Sequence, residues 1–458
     1  IDACHAAGIK VVARTDFSKI RKPIFEQHPD WAYRTASGDI VNYNGDVHAC
    51  ICGGFQQRAM YDILAEVCEK LPIDGLFINM GGFQTQDYSF RQHGLCHCDN
   101  CKRMFRTFTG MGLPAKADMN DPAYRRYRAF QREVVDRQQE KLVSFIRGID
   151  PEIAINGTDF FRMESNTEYK RPLPYWQYSA SSNTRCLRGI QTDRVVSNTT
   201  VDFVGFYYRH IAVDAAQQKL RLWQNIANLG NPDFYLIGRL DNHQDQSPYR
   251  AIQEVFRFHK AHEQDYMRMR SVADVLLMRD HHWGDRQEER GWIRALTEAH
   301  VLFDEAQAHD MEASDLSGYR AIVLPGNAVV SDSLVEKLET YVQEGGNLIV
   351  SGEAGKYDQA FEPRCSPPFS CLGIEAELGR SEDRVSAMFT FKDGEQFLFA
   401  SYPHTQVIAF GDTYWHYAYT RDTAQYMRMI TPQDFGPPER CYHTDVVDFP
   451  AVTVHPFG

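Results

Sequence analysis

The chain has 458 residues, 43% of them hydrophobic and 24% charged, which is the composition of a globular protein with room for two or three domains. Its formal charge of −12 argues against a nucleic-acid or anionic-membrane partner. No apolar run approaches the ~20 residues a membrane helix needs, so a cytoplasmic protein is expected. The 11 cysteines are an odd number in a chain too large to need disulfide staples, which points away from a secreted framework.

The chain opens on IDACHAAGIKVVAR, with no Met and no signal-peptide pattern. It reads as the end of a helix running into a strand, so a first domain lacking its earliest elements is expected. Residues 10–13 (KVVA) predict a strand that ends at Arg14, Thr15 and Asp16. Residues 61–70 have helical spacing, and 75–80 (GLFINM) predict the next strand. A long charged helix is predicted over 121–148, then a strand at 153–156 (IAIN) and a polar loop at 157–166. Further strands are predicted at 202–208 (DFVGFYY) and 234–238 (FYLIG), with a helix over 214–229 between them. This alternation predicts a (β/α)8 TIM-type barrel, N-terminally truncated, over residues 1–270. Residues 271–458 predict a flavodoxin-like α/β domain. It starts from the strand VADVLLM at 272–278, followed by the buried strand AIVLP at 321–325, a helix stopped by Gly345-Gly346, and the strand NLIVS at 347–351. Mixed β segments such as 387–391 and 396–400 follow.

Charged and amide residues gather just after the predicted strands: Arg14 to Asp16, Asn79, Asp159 to Glu164, Arg209 and Asp241. In a barrel that end carries the active site. Any one of them reads equally well as a turn residue; five strand ends together favour a site. Glycoside hydrolysis generally uses two carboxyl groups across the scissile bond. The segment GTDFFRMESN offers Asp159 and Glu164 with Arg162 between them. Asp241 in GRLDNHQD lies after a late strand. Glu164 is therefore the candidate general acid/base, and Asp241, then Asp159, the candidate nucleophile or base. Arg14, Asp16, His48, Asn79, Arg162, Tyr207 and Arg209 are candidate pocket residues. Tyr175, Trp176, Tyr178 and Trp31 offer flat faces for a pyranose ring.

The run Cys96-His97-Cys98-Asp99-Asn100-Cys101 places three thiols within six residues before a helix. Such spacing suits a structural tetrahedral metal, with zinc favoured by soft thiolate ligands. Cys50 or Cys52 in HACICGG supplies a fourth ligand. No organic cofactor is expected.

The segments VVARTDFS, HPDWAYR, VHACICGG, DGLFINMGGFQTQDYS and CHCDNC resemble a bacterial family of hypothetical glycosyl hydrolases related to family 42 β-galactosidases and family 29 and 151 α-L-fucosidases. GTDFFRMESN, SNTTVDFVGFYYRH and IGRLDNHQD look like later strands of the same barrel. From SVADVLLM through GGNLIVSGEAG to FGPPERCY, the chain is similar to the β-galactosidase trimerisation domain, a glutamine-amidotransferase-like fold. The resemblance implies an exo-acting glycosidase on galactoside- or fucoside-like sugars, assembled as a dimer or trimer. It implies that Cys96, Cys98 and Cys101 hold zinc with one earlier Cys, a place that Cys50, just before a helix, matches better than Cys52. Two departures stand out. Asn79 occupies the strand end where α-L-fucosidases carry an Asp nucleophile, and INMGG lacks the Glu that follows Asn in family 42 enzymes. VSGEAG has no Cys nucleophile, so the second domain is expected to assemble subunits rather than hydrolyse glutamine.

Overall fold

The computed structural model describes residues 1–167, 176–190, 193–280, 286–382 and, from 386 to 457, all but 393, 396–398, 402, 432–436, 438 and 440–444. Two compact units emerge: one holds 1–272 with 304–306 and 360–362, the other 273–303, 307–359 and 363–458. No helix among the described residues is long and apolar enough to cross a membrane.

The first unit is built on parallel strands. β1 (Val12–Asp16) leads into a small antiparallel sheet of β2 (Lys19–Arg21), β3 (Asn42–Tyr43) and β4 (Asp46–His48). β5 (Gly75–Asn79) lies between β1 and β6 (Ala154–Ile155), all parallel. β7 (Phe160–Thr167), β8 (Val195–Val204) and β9 (Asn231–Tyr235) form a second parallel sheet. Parallel strands need crossovers, and helices supply them. One is Met60–Lys70, which buries Met60, Tyr61 and Leu64 on one face. Another is the 28-residue helix Pro122–Ile149, begun by the Asp121 carboxylate accepting from Ala123 N at 2.8 Å with Pro122 at its first position. Tyr127, Phe130, Val134, Leu142 and Ile146 form its buried stripe at spacings of three, four and eight. Leu64, Leu76, Ile146, Ile153 and Ile155 meet in the core beneath β5 and β6.

Three strand boundaries differ from those predicted, and they move the candidate residues. Residues 160–167, a polar loop by local pattern but a strand by the resemblance, are strand β7; five polar side chains, Arg162 and Glu164 to Thr167, hid its alternation. β8 begins at Val195, well before the predicted 202, because its Ser-Asn-Thr-Thr run is polar yet buried. β9 covers Asn231–Tyr235 rather than 234–238. Its start is fixed by Asn225, fully buried, whose side chain accepts from Thr184 Oγ1 and Asn198 N and donates to the carbonyls of Asn198 and Asn231. Gly230 makes room for this hub: a Cβ there would stand 2.1 Å from Asn225 Oδ1.

Beyond residue 273, β10 (Val275–Arg279), β11 (Phe303–Gln307), β12 (Ala321–Pro325) and β13 (Asn347–Ser351) are ordered β11-β10-β12-β13. β12 lies parallel to both β10 and β13. Within this sheet the order is 2-1-3-4, that of doubly wound flavodoxin-like proteins. The helix Asp332–Gln343 is capped by Ser331 Oγ, which accepts from Leu334 N at 3.2 Å. Antiparallel strands follow, among them Ile374–Ser381 with Tyr414–Tyr419 and Ala387–Thr390 with Val407–Phe410.

Candidate functional site

Register decides which polar groups share a face. At the ends of β1 and β5, Asp16 lies opposite Asn79. Asn79 Nδ2 donates to Asp16 Oδ2 at 3.2 Å, while Ser18 N and Oγ donate to Oδ1 at 2.9 and 2.6 Å. Lys19 Nζ stands 3.8 Å from the same carboxylate and 4.5 Å above the Tyr88 ring. Burial pushes the Asp16 pKa up, but the Ser18 hydrogen bonds and Lys19 outweigh it and leave the carboxyl below its usual range. His48, at 1% exposure, is the register partner of Lys19 across β2 and β4. Burial, with Lys19 nearby, lowers its pKa, so the ring is neutral near pH 7. Its neighbour His93, 6.2 Å away ring to ring, is tied to Asp87 at 2.8 Å.

On the second sheet Glu164 of β7, Thr199 of β8 and Asp233 of β9 are consecutive register partners, level across three strands. Arg162 Nε donates to Asp233 Oδ2 at 2.6 Å, and its Nη1 to Glu164 Oε1 at 3.4 Å. Thr199 Oγ1, and Ser197 Oγ at 3.1 Å, also donate to Asp233 Oδ2. The guanidinium lies 5.5 Å from the centre of the Phe77 ring and 5.7 Å from that of Tyr235. Ring contacts continue from Tyr235 to Phe203, Phe206 and Tyr88, reaching Lys19. The two polar groups are thus linked by a chain of aromatic rings.

The other sequence candidates fall elsewhere. Asp159, just before β7, accepts two 2.6 Å bonds from Arg147 and one from Ile155 N, and so anchors the helix Pro122–Ile149. Asp241 is 68% exposed and paired with Arg239; its neighbour His243 bonds the carbonyl of Asp245 instead. Asp245 does not cap the helix Tyr249–Ala261 but accepts from Ala212 N and Ser247 N. Tyr207 is 62% exposed. Arg209 Nε donates to the Phe206 carbonyl, and Arg14 faces solvent on β1. Trp176 meets Tyr178 edge to face at 5.3 Å; Tyr175 lies outside the described residues. Trp31 is packed, stacked on His28 at 3.9 Å and on Phe55 at 5.5 Å. Asp233 was missed because its strand was read as starting at 234, three residues after its true start at Asn231; the alternation of Asp233 with Tyr235 was the available signal.

Cys50, Cys96, Cys98 and Cys101 are all buried, and their sulfurs lie within 4.8 Å of one another. Cys50 Sγ is 3.3 Å from Cys101 Sγ and 3.5 Å from Cys98 Sγ. Four sulfurs ~2.3 Å from one tetrahedral ion stand ~3.8 Å apart, so the donor set fits a thiolate-bound metal. Cys98 caps the helix Asp99–Thr109, its Sγ accepting from Cys101 N at 3.4 Å, and Cys50 Sγ accepts from Cys52 N at 3.3 Å. Backbone N–H groups at a helix start favour thiolates.

Two family models match the chain: residues 1–80 match Hypothetical glycosyl hydrolase 6, and residues 265–458 match the Beta-galactosidase trimerisation domain. No curated protein sequence matches. Among solved structures, α-L-fucosidase isoenzyme 2 from Paenibacillus thiaminolyticus is similar at TM-score 0.66 and 18% identity, covering 100% of this chain and 67% of its own. A β-galactosidase from Bacillus circulans sp. alkalophilus is similar at TM-score 0.74 and 14% identity, covering 100% of this chain and 76% of its own. One from Rahnella sp. R3 gives TM-score 0.71 at 14% identity, covering 100% and 76%. At such identities the likeness is one of fold.

Proposed function

We propose that this chain is a glycoside hydrolase acting on terminal galactoside- or fucoside-like sugars at the end of its parallel strands that carries Asp16, Asn79 and Glu164. The observation that carries the reading is the level placement of Glu164 and Asp233 about one arginine, flanked by Phe77 and Tyr235. Two carboxylates and flat apolar rings are what glycosidic bond cleavage and pyranose binding require. The first matched model supports glycoside hydrolysis, and the second, with the similar α-L-fucosidase and β-galactosidases, supports the sugar classes. Glu164, 40% exposed at the side chain, reaches solvent and serves as proton donor to the leaving group. Asp241 and Asp159, the sequence candidates for the second carboxylate, share no hydrogen-bond partner with Glu164 among the described residues. Asp16, Asn79 and Arg162 bind sugar hydroxyls; His48, expected from the sequence to line the pocket, is 1% exposed and lies too deep to touch a sugar. Arg14, Trp176, Tyr207 and Arg209 complete the proposed surround.

A second reading, a barrel that binds sugar without cleaving it, is favoured by Asn79: an amide occupies the strand end and donates to Asp16. Incubation with nitrophenyl β-galactosides and α-L-fucosides separates the two. Release of nitrophenol above the buffer rate is expected; binding with no release leaves only the second reading.

The four-Cys cluster is proposed to hold structural zinc; closed by four thiolates, it has no position for a substrate. Residues from about 272 onward are proposed to join subunits into a dimer or trimer, in keeping with the trimerisation model they match. Light scattering at micromolar concentration should give two or three times the 52.7 kDa chain mass; a monomer overturns this.

A further inference from the structure

Asp233 is held as few surface carboxylates are. Its Oδ2 takes hydrogen bonds from Arg162 Nε, Thr199 Oγ1 and Ser197 Oγ, and its Oδ1 takes none among the described residues. The side chain is 20% exposed, so the carboxylate is fixed yet reachable. Glu164 stands two strands away at the same level and on the same face, with Thr199 between them. Strands ~4.8 Å apart put the two Cα atoms about 10 Å apart, and side chains on one face can converge from there. Arg162 sets a tighter limit. It is 2.6 Å from one carboxylate and 3.4 Å from the other, through nitrogens ~2.3 Å apart in one guanidinium, so the nearest carboxyl oxygens lie within about 8 Å. Among the described residues nothing comparable links Glu164 to Asp241, which is 68% exposed and paired with Arg239.

We propose that Asp233 is the nucleophile of this site, facing Glu164 across the anomeric carbon; the proposal rests on the glycoside hydrolase reading. An Asp233 oxygen forms a bond to the anomeric carbon as the glycosidic C–O bond breaks, and the Glu164 proton passes to the departing oxygen. Water then attacks the same carbon and gives a proton to Glu164, and Asp233 leaves as a carboxylate. The limit set by Arg162 admits the ~5–5.5 Å separation of this two-step, configuration-retaining route. Three donors on one oxygen fix the line of attack of the other, which is where positioning lowers a barrier.

The test is to trap the ester. The purified protein is incubated with 2-deoxy-2-fluoro-β-galactosyl and 2-deoxy-2-fluoro-α-L-fucosyl fluorides, digested and analysed by mass spectrometry. One fluoroglycosyl group on the peptide that holds Asp233 is expected, absent from Asp233→Asn. In Asp233→Ala, azide should restore turnover of an activated aryl glycoside as the glycosyl azide of opposite anomeric configuration, a rescue that a merely structural residue would not show. Label on the peptide of Asp241 or of any other carboxylate, or inverted product from the unmodified protein by NMR, overturns the assignment while the hydrolase reading stands. No label together with no hydrolysis of any aryl galactoside or fucoside overturns both. Because labelling is read on the unmodified protein, a variant that fails to fold does not block the test.

Discussion

Elemental analysis of the purified protein should show one zinc per chain, and Cys98→Ser should lose the ion and most of the stability of the first unit. The four thiols sit in an apolar core among Tyr33, Phe105, Tyr127 and Phe130. Stripping the metal leaves that core with four crowded thiols and no ion to hold them. Structural zinc is worth ~10–16 kcal/mol in small peptides, against ~5–15 kcal/mol for the folding of a whole domain. Removing one ligand should therefore lower the melting temperature sharply, on the order of ten degrees or more. Zinc binding requires thiolates, so retention should weaken as pH falls and protons compete for sulfur. Activity per folded molecule should change little. Protein without zinc at stoichiometry, or thiol titration showing Cys50 and Cys101 joined as a disulfide, would exclude the metal. Cys52→Ser should keep the ion, since the cluster closes without it.

Glu164→Gln should lower kcat by ~10²–10⁴ for a glycoside with a poor leaving group. Gln preserves the shape and the contact with Arg162 but has no proton to give. For a dinitrophenyl glycoside, whose leaving group needs little protonation, the loss should be far smaller. That split between substrates is the signature of an acid, because damage to binding or folding would lower both rates together. A natural-substrate rate unchanged in Glu164→Gln would remove Glu164 from the chemistry and leave Asp16, ionised at the end of β1, as the next carboxylate to test.

How much of this the sequence alone determined follows from the range of the forces involved. Cys96, Cys98 and Cys101 were legible as a cluster because three thiols lie within a single turn and loop, so spacing alone brings them together. The helix Pro122–Ile149 was legible because Asp121, Pro122 and an apolar stripe are local signals. The parallel strands over 75–79 and 321–325 were legible because burial on both faces leaves an unbroken apolar run. β7 and β8 were misplaced because their burial is polar. Arg162, Ser165, Asn198, Thr199 and Thr200 are satisfied by partners 15 to 71 residues away, which no short window along the chain can detect. Asp233 belongs with them. On paper it is one carboxylate after a proline; only the alignment of three strands sets it level with Glu164 and gives both to the same arginine. Local chemistry wrote the thiol cluster and the helices, while the pairing of distant strands decided which carboxylates meet.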